Sequence, residues 1–167
     1  GNGIDNRNIA DLPFQPDLVA VKRAGATAGA FRTSAHTGDI SSFFAATADA
    51  ANVVQTLTAG TFQIGTSGAV NTSASVYRWF AFKAGTNFSV GAYTGTGVTS
   101  LQVSAPFWSD AIWVKRSTAV AAVQRPSTLA GTASQAFLNT ANVTTAITGI
   151  NASGFTVGNA TSVNTAA

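Results

Sequence analysis

Short apolar runs bounded by turn residues recur along the chain. Leu18–Val21 and Ala111–Val114 are continuous runs of this kind, the pattern of buried strands. Phe62–Ile64 and Phe155–Val157 alternate and end at Gly65 and Gly158. Val76–Phe82 is aromatic and partly alternating, and it predicts a strand with Trp79 in the core. A second strand-like run, Phe88–Tyr93, follows across the turn Ala84-Gly85-Thr86-Asn87. Ala45–Leu57 is the one helical candidate: Val53, Val54 and Leu57 share a helical face, although Asp49 and Asn52 weaken it. Asn139–Ile150 is rich in Thr and reads as strand or loop. Turn signals recur about every ten residues, a spacing that suits a sandwich or barrel.

These runs belong to an internal repeat at an offset of 93 residues. Asp17–Arg23 aligns with Asp110–Arg116, Pro13-Phe14 with Pro106-Phe107, and Phe31–Ser34 with Gln124–Ser127. Phe44 meets Phe137, Phe62–Gly65 meets Phe155–Gly158, and Val70–Thr72 meets Val163–Thr165. Only the openings, Gly1-Asn2-Gly3 and Gly95-Thr96-Gly97, are out of register by one. The repeat divides the chain into a first β module (1–72), a two-strand connecting segment (73–94) without a second copy, and a second β module (95–167). Both ends then stand one or two strands short of a full module.

Composition strengthens the β reading. Charged residues make up 9% of the 167 residues, against about 25% in ordinary soluble domains. All six acids are Asp, and the absence of Glu removes a good helix former. Such a neutral, polar surface suits a protein packed against neighbours or living outside the cytosol. There is no Cys, so no disulfide or thiol chemistry, and no Met, so Gly1 is expected to follow a cleavage or to open a fragment. The net charge of +3 comes from nine scattered basic residues in runs of at most two, which reads as a solvated face and predicts no nucleic-acid binding. No apolar stretch reaches the roughly 18 residues of a membrane helix, and no signal peptide is expected within these residues.

Catalytic chemistry is scarce. His36 is the sole histidine; with Asp39 it could orient a serine such as Ser34, but the setting reads as an exposed loop. Asp17 and Asp110 repeat, which marks a strand-start device rather than an acid and base. Asp5, Asn6 and Asp11 are oxygen donors close in sequence but lack a calcium-loop spacing, so no metal or cofactor is expected. Gly1-Asn2-Gly3 and Gly95-Thr96-Gly97 lack the context of phosphate loops. Four aromatics, Trp108, Trp113, Tyr77 and Tyr93, are the candidate ligand or subunit contacts: Trp113 stands where the first copy has Ala20, and Trp108 where it has Gln15. Five Asn-x-Ser/Thr sequons begin at Asn71, Asn87, Asn142, Asn151 and Asn159.

Gly1-Asn2-Gly3 with Asp5-Asn6-Arg7, Phe14–Arg23, Phe31–Ser34 with Gly38-Asp39, Gly60–Asn71 and Tyr77–Gly85 together form a pattern. It resembles a module of bacteriophage tail, tail-fibre and other virion proteins that also occurs in bacterial surface proteins. The resemblance covers residues 1–94; the second copy departs from it at Trp108-Ser109-Asp110 and lacks the closing strand. It implies a jelly-roll or concanavalin-like sandwich, so the expected fold is all-β: two tandem sandwich modules. The expected function is a non-enzymatic structural subunit of an extracellular or virion assembly, whose partners are copies of itself. The alternative is a carbohydrate-binding adhesin or receptor-binding module.

Overall fold

The computed structural model describes residues 1–166. Every regular element is a β-strand; the pairings are antiparallel, and no sheet closes into a barrel among the described residues. Two compact units form, one from Gly1–Phe44 with Ala48–Gly91, the other from Ala92–Ala167 with Ala45–Thr47.

The first unit holds β1 (Arg7–Ile9), β2 (Leu18–Arg23), β3 (Ala30–Thr33), β4 (Ser42–Phe43), β5 (Val54–Thr58), β6 (Thr61–Ile64) and β7 (Tyr77–Phe82). They make two sheets, ordered β1-β6-β5 and β4-β3-β2-β7. The core draws on both: Val19, Val21 and Ala30 from the larger, Val54, Phe62 and Ile64 from the smaller. Alternation along β6 turns Phe62 and Ile64 inward while Thr61 and Gln63 stay half-buried. Burying a side chain such as Phe62 contributes about 1.5–3 kcal/mol.

The second unit holds β8 (Leu101–Ser104), β9 (Ala111–Val114), β10 (Val123–Pro126), β11 (Gln135–Ala136), β12 (Ile147–Asn151) and β13 (Gly154–Val157). Its sheets are ordered β12-β13-β8 and β11-β10-β9. The strand order of the first unit thus recurs, and the register shift between Val54 and Thr56 recurs between Ile147 and Gly149. The difference is at one edge: β2 carries β7 along its whole length, whereas β9 ends its sheet.

Repeated polar side chains clamp each unit. Asn71, fully buried, accepts from the amides of Asn2 (2.9 Å) and Gly3 (3.4 Å) and donates to the carbonyls of Ile4 (2.7 Å) and Gly65 (3.0 Å). Asn164 does the same for Thr96, Gly97 and Val98, which carries the one-residue slip of the openings into the structure. The Ser41 hydroxyl bridges the carbonyl and amide of Val54, as Ser134 does those of Ile147. Arg32 gives its guanidinium to the carbonyls of His36, Gly38 and Ile40, and Arg125 gives its own to Leu129, Gly131 and Ala133. A buried cation is tolerated because its N–H groups are satisfied there. Burial lowers the Arg32 pKa, with Asp39 opposing.

Several expectations fail. Ala45–Leu57 forms no helix: Ser41 and Ala50 exchange backbone bonds, Asn52 is left-handed (φ 59°), and β5 follows. Phe88–Tyr93 forms no strand; Gly85 N–H donates to Phe88 O (2.9 Å) in a tight turn, and Gly91, without a side chain to pack, weakens any extension. Within 73–94 only β7 is a strand, and it belongs to the larger sheet of the first unit. Trp79 is 45% exposed because β7 is an edge. The basic residues are less a solvated face than a set of loop staples: besides the two buried arginines, Lys22 holds the carbonyls of Arg23 and Gly25, and Lys115 those of Arg116 and Thr118.

Candidate functional site

β7 is tied to β2 by six paired residues, from Leu18↔Phe82 to Arg23↔Tyr77. Beyond the strand, Asp17 N–H donates to Phe82 O and the Asp17 carboxylate accepts from Ala84 N–H, both at 2.7 Å. The other edge of β7 carries no strand among the described residues. Its aromatics crowd there: Phe80 meets Phe82 (5.7 Å between centroids), Phe82 meets Phe88 (5.3 Å), and Trp79 sets an edge on buried Phe62 (5.3 Å). Phe80 and Phe82 are nearly half exposed. Tyr77 is half-buried; its hydroxyl accepts from Thr72 N–H (2.7 Å) and donates to Gly68 O (3.0 Å). Arg7, Tyr77, Trp79 and Phe62 line a cleft of about 280 Å³ between the two sheets.

In the second unit β9 stands where β2 stands in the first. Ser127 N–H donates to Asp110 O (2.7 Å), and the β9–β10 register continues from it. Antiparallel alternation then aims the groups of Ile112 and Val114 at β10 and the Ala111 N–H away from it. Asp110 repeats Asp17 but has no strand end to cap: its exposed carboxylate makes no hydrogen bond among the described residues. Trp113 is 48% exposed and sets its ring edge-on to Phe137 (5.3 Å). Trp108 is the most exposed of the tryptophans, at 58%. Tyr93 lies on Phe155, the counterpart of Phe62, and donates to Val163 O (2.8 Å); burial pushes its pKa up to about 12. Of the four aromatics singled out from the sequence, Tyr77 lines the first unit's cleft, Tyr93 plugs the second unit, and Trp108 and Trp113 face outward from the second.

His36 meets neither Asp39 nor Ser34. Thr33 N–H donates to its Nδ1 (3.1 Å), so the proton sits on Nε2, which donates to Ser42 Oγ (3.0 Å). Ser42 in turn donates to Asp49 Oδ1 (2.7 Å). A nucleophilic serine needs the imidazole to take its proton and a carboxylate on the far ring nitrogen. Here the serine lies between the two and is buried, so the chain locks a loop. Burial lowers the His36 pKa, Asp49 opposes this, and Arg32 adds to it.

Asp11 does not join Asp5. Asp5 Oδ1 accepts from Asn6 N–H (2.9 Å) and from Gln55 Nε2 (3.0 Å); Gln55 also donates to Asn52 Oδ1 (3.2 Å), and Asn52 N–H donates to Asp39 Oδ2 (3.0 Å). No group of three His, Cys, Asp or Glu converges among the described residues, and no helix there is long and apolar enough to cross a membrane. Comparisons with family models, with curated proteins and with solved structures find no match for the chain.

Proposed function

We propose that this chain is a non-enzymatic structural subunit of an extracellular or virion assembly, built from two tandem sandwich modules of jelly-roll or concanavalin-like type. Its partners are copies of itself, joined through sheet edges. The observation that carries this reading is the pair of unlike open edges, β7 with its exposed aromatics and β9 at the position where β2 is covered. Open edges invite strand pairing. Joining β9 of one copy to β7 of another breaks no existing pair. Because the two edges differ, the contact is head-to-tail and builds a ring or a filament.

The antiparallel arrangement repeats the register of β2 with β7, and so sets Arg78 beside Lys115 as it stands beside Lys22. Asp110 at the start of β9 then meets Lys83 just past the end of β7; both are exposed, and neither side chain has a hydrogen bond among the described residues. Sedimentation velocity across a concentration series, with negative-stain microscopy, tests the reading: assembled species are expected, and a monomer at every concentration refutes it. Asp110→Lys and Lys83→Asp should each weaken assembly by about tenfold, since reversal turns attraction into repulsion, and the double variant should restore it.

A carbohydrate-binding role is the second reading, favoured by the exposure of Trp108, since a bare indole face stacks on sugar rings. A glycan array separates the two: binding lost in Trp108→Ala supports it, and no binding by the intact protein removes it.

A further inference from the structure

Two buried side-chain oxygens lack any hydrogen-bond donor among the described residues, Asp39 Oδ1 and Gln55 Oε1. Their residues are joined through Asn52. Gln55 is 93% buried, being 7% exposed, and its amide head sits between Asp5 and Asn52; Asn52 in turn holds Asp39 through its backbone N–H. Two carboxylates and two side-chain amides are thus gathered from a loop before β1, the β3–β4 loop and the start of β5, linked by contacts of 3.0–3.2 Å. Leaving buried oxygens unsatisfied costs about 1–3 kcal/mol each, so a fold that keeps two of them on residues joined through Asn52 needs a reason.

The second unit supplies an independent comparison. Asp39, Asn52 and Gln55 correspond to Thr132, Thr145 and Thr148 at the offset of 93, and Asp5 corresponds to Thr99 in the slipped opening segment. All four oxygen donors change together to threonine. The clamps around them, Asn71 and Asn164, Ser41 and Ser134, Arg32 and Arg125, do not change. The module folds without the cluster, so the cluster serves something other than folding the module.

We infer that Asp5, Asp39, Asn52 and Gln55 form a binding site for a hard divalent cation in the first unit, with calcium preferred over magnesium. The donors are all oxygens, two of them anionic, which excludes soft metals. Calcium accepts mixed carboxylate and amide oxygens with irregular geometry and completes its shell with water and carbonyls, whereas magnesium demands an octahedron. On binding, the Gln55 amide turns its oxygen to the cation in place of its NH2 group, and Asp39 Oδ1 gains a direct partner in place of the hydrogen bond it lacks. Arg32, which interacts electrostatically with Asp39, offsets one of the two negative charges, which sets a modest affinity. Two carboxylates with one charge offset match the range of extracellular modules, about 10⁻⁴–10⁻³ M.

The test is calorimetric titration of the chelator-treated full chain with calcium chloride, repeated with magnesium chloride. One calcium per chain is expected, with magnesium at least about tenfold weaker. Asp39→Asn keeps an acceptor for the Asn52 amide but removes a charge, and Gln55→Leu removes the amide oxygen; each should weaken calcium at least about tenfold. Asp110→Asn, outside the cluster, should leave binding unchanged. Circular dichroism and the melting temperature without calcium verify that each variant folds. A wild type that takes up no calcium at millimolar concentration overturns the inference. So does binding that survives both cluster substitutions, or that Asp110→Asn removes.

Discussion

Asn71→Ala removes the side chain that ties the opening segment of the first unit to its core. Four hydrogen bonds are lost. Three serve Asn2, Gly3 and Ile4, which are exposed and can turn to water, so each contributes about 0.5–1 kcal/mol. The fourth serves the carbonyl of buried Gly65, which is stranded at a cost of about 1–3 kcal/mol. The expected loss is roughly 4 kcal/mol, a large share of the 5–15 kcal/mol typical of a domain. Asn164→Ala, with three bonds to exposed residues, should cost the second unit about 2–3 kcal/mol. Asn71→Asp is the sharper variant. It keeps the acceptor but turns a second carboxylate oxygen toward the carbonyls of Ile4 and Gly65, so it should be no better than alanine. Urea unfolding followed by Trp79 emission, in a Trp108→Phe, Trp113→Phe background, reads the first unit alone. A loss below about 1 kcal/mol for Asn71→Ala, or wild-type stability for Asn71→Asp, refutes the clamp.

Gly65→Ala places a Cβ 2.5 Å from Asn52 O and should destabilise by at least about 2 kcal/mol in the same urea assay, whereas Gly91→Ala meets nothing and should be neutral or slightly stabilising. His36 has a folded pKa below its unfolded 6.5, so the unfolded chain binds its proton first. Its contribution is complete above pH 6.5 and is lost as pH falls toward the folded value; the drop in urea midpoint between pH 7.5 and 5 should shrink in His36→Gln. Tyr93 should ionise near pH 12 in a spectrophotometric titration compared with Tyr93→Phe, with stability declining as pH rises through 10 to 12.

The repeat was legible because Asp17, Arg32, Phe62 and Asn71 each recur in one register with strand-like neighbours. What Asn71 and Ser41 do was not, since their partners are carbonyls and amides brought close only by the fold. The false helix over Ala45–Leu57 has a physical origin. The bulge between Val54 and Thr56 interrupts alternation, so Val53, Val54 and Gln55 are buried in succession, and consecutive apolar positions imitate a helical face. The aromatic pattern of its strand points Trp79 to the core, but edge position depends on which strands pair, and sequence pattern does not carry that. The oxygen cluster joins residues up to 50 positions apart. Its one sequence signal is the joint change of four positions to threonine between the copies.

The central claim is that β9 offers an open edge which another copy of the chain covers. Amide hydrogen exchange at Ala111, measured by NMR on a dilute sample and by mass spectrometry on a concentrated one, addresses it directly. The Ala111 N–H points away from β10, so it should exchange rapidly in dilute solution and become protected as copies associate, in step with the sedimentation change. Protection at Ala111 that does not vary with concentration, or an assembly in which Ala111 still exchanges freely, would contradict the account.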